Sequence, residues 1–246
     1  MEDPSTLHLR IAIDDALSVS ALLRVPANAS ACYVFAHGAG AGMEHAFMAN
    51  FANGLAERGI ATLRYQFPYM ERGSKRPDAP KLAHATVRAA VAEAERQLPG
   101  LPLFAGGKSF GGRMTSQAQA LSPLPGVRGL VFVGFPLHPA GQPSDERAKH
   151  LEEVALPMLF LQGTRDELAD LALLQALLLR LGERATLALF EDADHAFHLR
   201  ARSGRTDAQT LEAMLDAMLV WATPAAASRP VHRPASGCGM PLDPVG

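Results

Sequence analysis

The stretch LFAGGKSFGGRMTS, residues 103–116, sets Ser109 among four glycines where an apolar run meets a helix-forming one. Glycine weakens strands and helices alike unless a tight turn or a close approach requires it. Gly107, Ser109 and Gly111 satisfy G-x-S-x-G between the apolar run LPLFAG and the helical pattern RMTSQAQAL. A serine held in a strained strand-to-helix turn needs small residues two positions before and after it, and its hydroxyl then stands clear of the sheet as a nucleophile. A glycine-rich connection with an incidental serine fits the pentapeptide alone equally well. The other residues that nucleophilic chemistry demands must therefore be sought elsewhere in the chain.

A serine hydroxyl is a weak nucleophile until a base takes its proton, so the elbow calls for a histidine on a later loop. EDADHAFH supplies His195 directly after the last predicted strand, with His198 as its competitor. His195 is preferred, because His198 falls inside the following segment, where a surface or packing role is the plainer one. The imidazole needs a carboxylate to orient it and to stabilise its transient charge. Asp166 lies in FLQGTRDEL, after the run PMLFLQG, and ligands gather at the carboxyl ends of strands in open α/β sheets. Glu167 is its neighbour and spacing alone does not separate them, whereas Asp192 and Asp194 have the composition of local turns. Serine, acid, histidine is the chain order that accompanies such an elbow. Charge developing on a carbonyl oxygen would be met by backbone amides. One is that of Phe110, after the nucleophile; the other comes from HGAGAGMEH, with Ala39 first and Gly40 second.

The glycines of that loop also invite a dinucleotide reading, but they run G-x-G-x-G with Met43 where G-x-G-x-x-G needs glycine. The next strand, RYQFPYM, ends without the required acidic residue. No H-E-x-x-H or C-x-x-C pair is present, and His37 and His45 lack helical i, i+4 spacing, so neither metal nor cofactor is expected. The loop PYMERGSKRPDAP carries Arg72, Lys75 and Arg76, and Lys108 and Arg113 bracket the serine. These cations suggest an anionic group on a small-molecule substrate, against the plainer view that loop cations are solvated or paired. His37, Phe67, Pro68, Tyr69 and His138 are candidate pocket residues beside Arg72, Arg76 and Lys108.

These groups need a frame. Thr6 to Ile13 and Ser18 to Val25 alternate in polarity and read as an antiparallel hairpin. The runs CYVFAH, ATLRYQF, LPLFAGG, GLVFVGF, PMLFLQG and TLALFED are continuously apolar, the pattern of parallel strands covered on both faces. Helical periodicity separates them, as at Val87, Val91, Ala94 and Leu98, and again over Leu211, Met214, Leu215, Met218 and Leu219. The alternation predicts an α/β fold with a mostly parallel sheet of roughly eight strands and helices on both faces. Between Phe135 and Pro157 there is room for a short helix but no large lid. Residues 1–222 form one domain, and the Pro-, Ala-, Ser- and Gly-rich segment 223–246 reads as a disordered tail.

At 246 residues and 48% apolar composition, one α/β domain with a sizeable core is expected. A formal charge of −2 with mixed signs offers no basic stripe to nucleic acid or an anionic membrane. Leu168 to Glu183 is interrupted by Asp170, Gln175 and Arg180 and reads as a buried helix rather than a membrane span. MEDPSTLHLR lacks the features of a signal peptide, and Cys32 and Cys238 suggest no disulfide framework, so a cytoplasmic location is expected. Oligomeric state has no signature.

HGAGAGMEH, LRYQFPYMERG, GGKSFGGRM, FVGFPLHPAGQP, FLQGTRDEL and DADHAFH together resemble the α/β-hydrolase superfamily, near its dienelactone hydrolase-like branch. More closely they resemble the small hydrolase family that includes bacterial proteins and the hydrolase-like domain of a subunit of an animal histone-acetyltransferase complex. The resemblance runs from about Cys32 to Trp221 and implies the fold and a Ser109, Asp166, His195 triad; it implies no substrate. Ser109 stands where dienelactone hydrolases proper use cysteine, which argues against lactone-ring specificity. The expected activity is that of a serine hydrolase of the carboxylesterase type. The alternative is a hydrolase-shaped scaffold that binds a partner protein, for which a strained serine elbow would have no use.

Overall fold

The computed structural model describes residues 6–227. β1 (Thr6–Ala12) and β2 (Ser18–Arg24) pair antiparallel, and β2 runs antiparallel to β4 (Ile60–Tyr65). The remaining strands are β3 (Ala31–Ala36), β5 (Leu103–Lys108), β6 (Val127–Val133), β7 (Met158–Gly163) and β8 (Ala185–Phe190). The sheet order is β1-β2-β4-β3-β5-β6-β7-β8, and from β4 onward every neighbouring pair is parallel. β3, β4 and β7 are buried along their whole length, as continuous apolar runs require. β8 departs from that expectation. It is the edge strand, and Leu189 and its neighbours are partly exposed because no further strand covers them.

Six helices pack on the sheet among the described residues: α1 (Ala46–Glu57), α2 (Pro68–Glu71), α3 (Pro80–Gln97), α4 (Phe110–Leu121), α5 (Leu171–Leu181) and α6 (Asp207–Ala227). Two apolar layers result. On one face Met48, Phe51 and Leu55 of α1 meet Met214, Leu215 and Met218 of α6 over Phe35 and Phe104. On the other face Val87 and Val91 of α3, Met114 of α4, and Leu174 and Leu177 of α5 cover Val34, Ala105 and Phe160. The segment containing α5 reads in the sequence as a buried helix, but only Leu174, Leu177 and Leu181 are enclosed, while Leu179 is 84% exposed. The helix is so leucine-rich that composition alone hides its one-sidedness. Asp170 caps it, accepting from the Leu173 amide at 3.0 Å.

β6 and β7 are joined by residues 134–157, whose regular structure is a single 3-10 segment, Glu146–Glu153. No large lid lies among the described residues. α6 continues through Pro224 to Ala227, so the first five residues assigned to the tail are helical; the rest of that segment lies outside the described residues. No helix of the described residues is long and apolar enough to cross a membrane.

Candidate active site

Parallel strands bring the loops that follow β3, β5, β7 and β8 to one edge of the sheet, where side chains distant in sequence can meet. Ser109 follows β5 and caps α4 with φ 50° and ψ −113°, a positive-φ conformation that costs a residue with a Cβ about 1–3 kcal/mol. Its amide is held by the Val133 carbonyl at 3.0 Å. The flanking glycines are set by space. A Cβ on Gly107 would lie 2.4 Å from the Ala36 carbonyl oxygen, and one on Gly111 would lie 2.5 Å from the same atom. The end of β3 therefore presses against both sides of the turn, and G-x-S-x-G is what fits beneath it.

His195 reaches this turn from the loop after β8. Its Nε2 is 2.9 Å from Ser109 Oγ, and its Nδ1 is 2.7 Å from Asp166 Oδ2. Asp166 is buried in the loop after β7. Its Oδ1 accepts from the Leu168 amide at 2.8 Å and its Oδ2 accepts from Gln162 Nε2 at 2.5 Å. Gln162 is itself fixed, because its Oε1 accepts from the Phe135 amide at 2.9 Å. Both carboxylate oxygens of Asp166 are thus held by donors, and Oδ2 also faces His195 Nδ1. Glu167 is exposed, and burial is what separates it from Asp166.

His198, the competitor of His195, and Asp194, an alternative to Asp166, are occupied elsewhere. His198 pairs with Asp207 at 2.7 Å on the surface, a bond that raises its pKa. Asp194 Oδ1 accepts from the amides of Ala196 and His198, a local turn that shapes the loop. Of the two amides weighed in the β3 loop, that of Gly40 donates to the Tyr69 hydroxyl at 3.2 Å. The amides of Ala39 and Phe110 make no hydrogen bond to any described residue.

Several residues read as substrate contacts have structural partners instead. His37 is fully buried, donating from Nδ1 to the Gly38 carbonyl at 2.8 Å and accepting at Nε2 from the Phe67 amide at 3.0 Å. His138 is also buried; its Nε2 accepts from the Asp170 amide at 2.9 Å, tying the β6–β7 connection to the cap of α5. Tyr69 is buried apart from its bond to Gly40, with Phe67 and Phe110 packed around it. Arg72 pairs with Asp78 at 2.7 Å, and Arg76 is exposed on the same loop. Lys108 turns inward. Its ammonium donates to the His195 carbonyl oxygen and lies 5.3 Å and 5.9 Å from the ring centroids of Phe197 and Phe47. Burial brings its pKa down to about 8 against the opposing pull of Asp166 and Asp194. A side chain long enough to reach the next loop satisfies that loop's carbonyl, and sequence spacing could not reveal which loop it would be.

His37 leads to a stability prediction. Burial lowers its pKa to about 4, and protonating Nε2 would also break the bond from Phe67. The unfolded chain then binds more protons than the folded one between about pH 6.5 and about pH 4, so stability is complete above that window and is lost as pH falls through it. Each fully neutralised buried histidine contributes on the order of 3 kcal/mol. His150, held near 4 by burial and by Arg113, adds to the same slope. Thermal melting across this pH range should show the fall, and His37→Gln, whose amide oxygen accepts without titrating, should flatten it.

A cavity of about 420 Å³ lies between the first turns of α1 and α6; Gly38, Lys108 and Ala196 are in its wall, while Ser109, Asp166 and His195 themselves do not line it. Arg72, Arg76, Tyr69 and His138 do not line it.

A family model described as "Alpha/beta hydrolase domain" matches residues 29–223. Among solved structures, an alpha-beta serine hydrolase homologue from Coxiella burnetii is similar at TM-score 0.70 and 18% identity, covering 91% of this chain and 100% of that one. A serine hydrolase without lid from Xanthomonas campestris is similar at TM-score 0.69 and 21% identity, covering 90% and 97%. A dienelactone hydrolase from Anabaena variabilis is similar at TM-score 0.70 and 21% identity, covering 89% and 97%.

Proposed function

Since the chain belongs to the α/β-hydrolase domain family, we propose that it is a serine hydrolase that cleaves an ester or similar acyl bond of a small soluble substrate. One observation carries this: a positive-φ serine joined through His195 to a buried carboxylate by bonds of 2.9 Å and 2.7 Å. Ser109 is the nucleophile, His195 the base and Asp166 the orienting acid.

In the proposed cycle, His195 Nε2 takes the Ser109 proton as Oγ attacks the acyl carbon. The tetrahedral oxyanion lies toward the amides of Phe110 and Ala39, since the Gly40 amide is engaged by Tyr69. The C–O bond to the leaving group breaks as His195 returns the proton to the departing alcohol, which leaves an acyl-enzyme. Water, deprotonated by the same imidazole, then attacks that carbonyl, and Ser109 is released with its proton as the acid departs. Asp166 keeps Nδ1 protonated and stabilises the imidazolium formed in each half.

An anionic substrate group draws no support from the surroundings of Arg72 and Lys108. Arg72 is paired and Lys108 is committed to the His195 loop. A cytoplasmic setting accords with Cys32, a buried free thiol whose pKa burial raises to about 12.

Fluorophosphonate labelling tests the proposal. The purified protein should gain one adduct, mapped to the peptide bearing Ser109 by mass spectrometry. Failure of the folded protein to label overturns the hydrolase reading in favour of a partner-binding scaffold.

A further inference from the structure

Two helix starts and one strained loop make the cavity, which adjoins the Ser109 turn through Gly38 and Lys108. α1 begins next to it, capped by His45, whose Nδ1 accepts from the Phe47 amide at 3.2 Å. α6 begins on the opposite side at Asp207. Phe47, Met48, Leu211 and Met214 supply apolar surface from the two helices, and Phe197 closes the side next to His195. Phe197 has φ 66°, which a bulky aromatic residue rarely adopts. That conformation buries its ring, where it stacks on Phe47 at 6.0 Å between centroids.

The cavity belongs to the nucleophile's surroundings. A Cβ on Gly38 would lie 3.5 Å from Lys108 Cγ and 3.8 Å from Ser109 Cβ, so one wall is the backbone that faces the serine. Ala196 directly follows His195 in another wall. The volume falls within the roughly 300–1,000 Å³ of small-molecule sites. Its one buried cation, the Lys108 ammonium, is held by the His195 carbonyl and two aromatic faces, while the His198–Asp207 pair is exposed. The interior therefore favours an uncharged occupant.

We infer that this cavity holds the apolar substituent of an ester, an aryl ring or a medium-length alkyl chain, while the scissile carbonyl lies at Ser109, on the premise that the serine hydrolase reading holds. The substituent can belong to the acyl half or to the alcohol half of the substrate, and both present the same surface to Phe47, Leu211 and Met214. Burying it stabilises binding in proportion to the apolar area removed from water.

Ala46→Trp and Ala208→Trp each fill the cavity from a different helix and start from exposed positions, so a folding failure in one leaves the other. Initial rates are measured for ethyl acetate, ethyl octanoate and naphthyl acetate, with fluorophosphonate labelling and melting temperature as controls. The wild type should prefer at least one of the two larger esters. Either variant should lower kcat/KM for that ester by about tenfold or more and leave ethyl acetate within about threefold. Loss confined to ethyl octanoate assigns the cavity to the acyl half, and loss confined to naphthyl acetate assigns it to the alcohol half. Unchanged selectivity, or an equal loss on all three esters, with labelling intact, overturns the cavity assignment alone. Absence of labelling and of turnover in the folded wild type overturns the hydrolase reading, and this assignment with it.

Discussion

Ser109→Ala should lower kcat by about 10⁶-fold and abolish fluorophosphonate labelling. The reason for so large a loss is that the hydroxyl is the only group of the cluster in position to form a covalent bond to the acyl carbon. Its Oγ bonds to His195 alone among the described residues, so removing it breaks no other part of the site. Alanine keeps the Cβ that the positive-φ turn already accommodates, and the melting temperature should therefore stay close to that of the wild type. His195→Ala should cost about as much, and Ser109→Ala combined with His195→Ala should cost no more than either alone, because base and nucleophile act as one unit. Steady-state rates on an ester the wild type turns over would check this. A Ser109→Ala protein retaining even a tenth of wild-type turnover would remove Ser109 from the mechanism.

Asp166→Asn should reduce kcat by about 10⁴-fold while leaving the fold intact. The surroundings of Asp166 explain why neither orientation of the new amide rescues activity. With its nitrogen toward His195, it opposes the Gln162 amide group and forces the imidazole into the tautomer that donates to Ser109 instead of accepting from it. With its oxygen toward His195, the nitrogen faces the Leu168 amide, and the charge that stabilises the imidazolium is gone. Glu167→Gln, one residue along and exposed, should stay within about twofold of the wild type. Rates and pH profiles of the two variants measured together distinguish the roles. Equal losses in both would show that the orienting carboxylate had been misassigned.

The frame was readable from local patterns because each element announces itself over a few residues. The hairpin and the buried strands follow from alternation and from continuous apolar runs. The exceptions lie where the outcome depends on what packs outside. TLALFED reads as an enclosed strand, yet β8 lies at the sheet edge, and nothing within those seven residues encodes their position in the sheet order. At the candidate site, Ser109, Asp166 and His195 stand out in the sequence because each follows a strand and because their order along the chain is informative. The structure brings the three within hydrogen-bonding distance. What resisted reading were partners chosen across the fold. His37 and His138 look like pocket residues by loop position, but backbone amides of Phe67 and Asp170 claim their ring nitrogens. Gln162 had one available signal, a lone amide side chain in the apolar run PMLFLQG. A polar group fully buried in a strand must be paired, and here its pairing orients Asp166.

The short connection between β6 and β7 bears on how the rate should vary with substrate supply. Residues 134–157 hold one 3-10 segment and no helix that could fold across Ser109 and then swing away. A hydrolase that must first be opened by contact with a lipid–water boundary shows a jump in rate once its substrate aggregates. This chain has no such gate among its described residues, and the strained turn at Ser109 is already set. Turnover should saturate hyperbolically with dissolved monomeric ester and show no interfacial activation as the substrate passes its solubility limit.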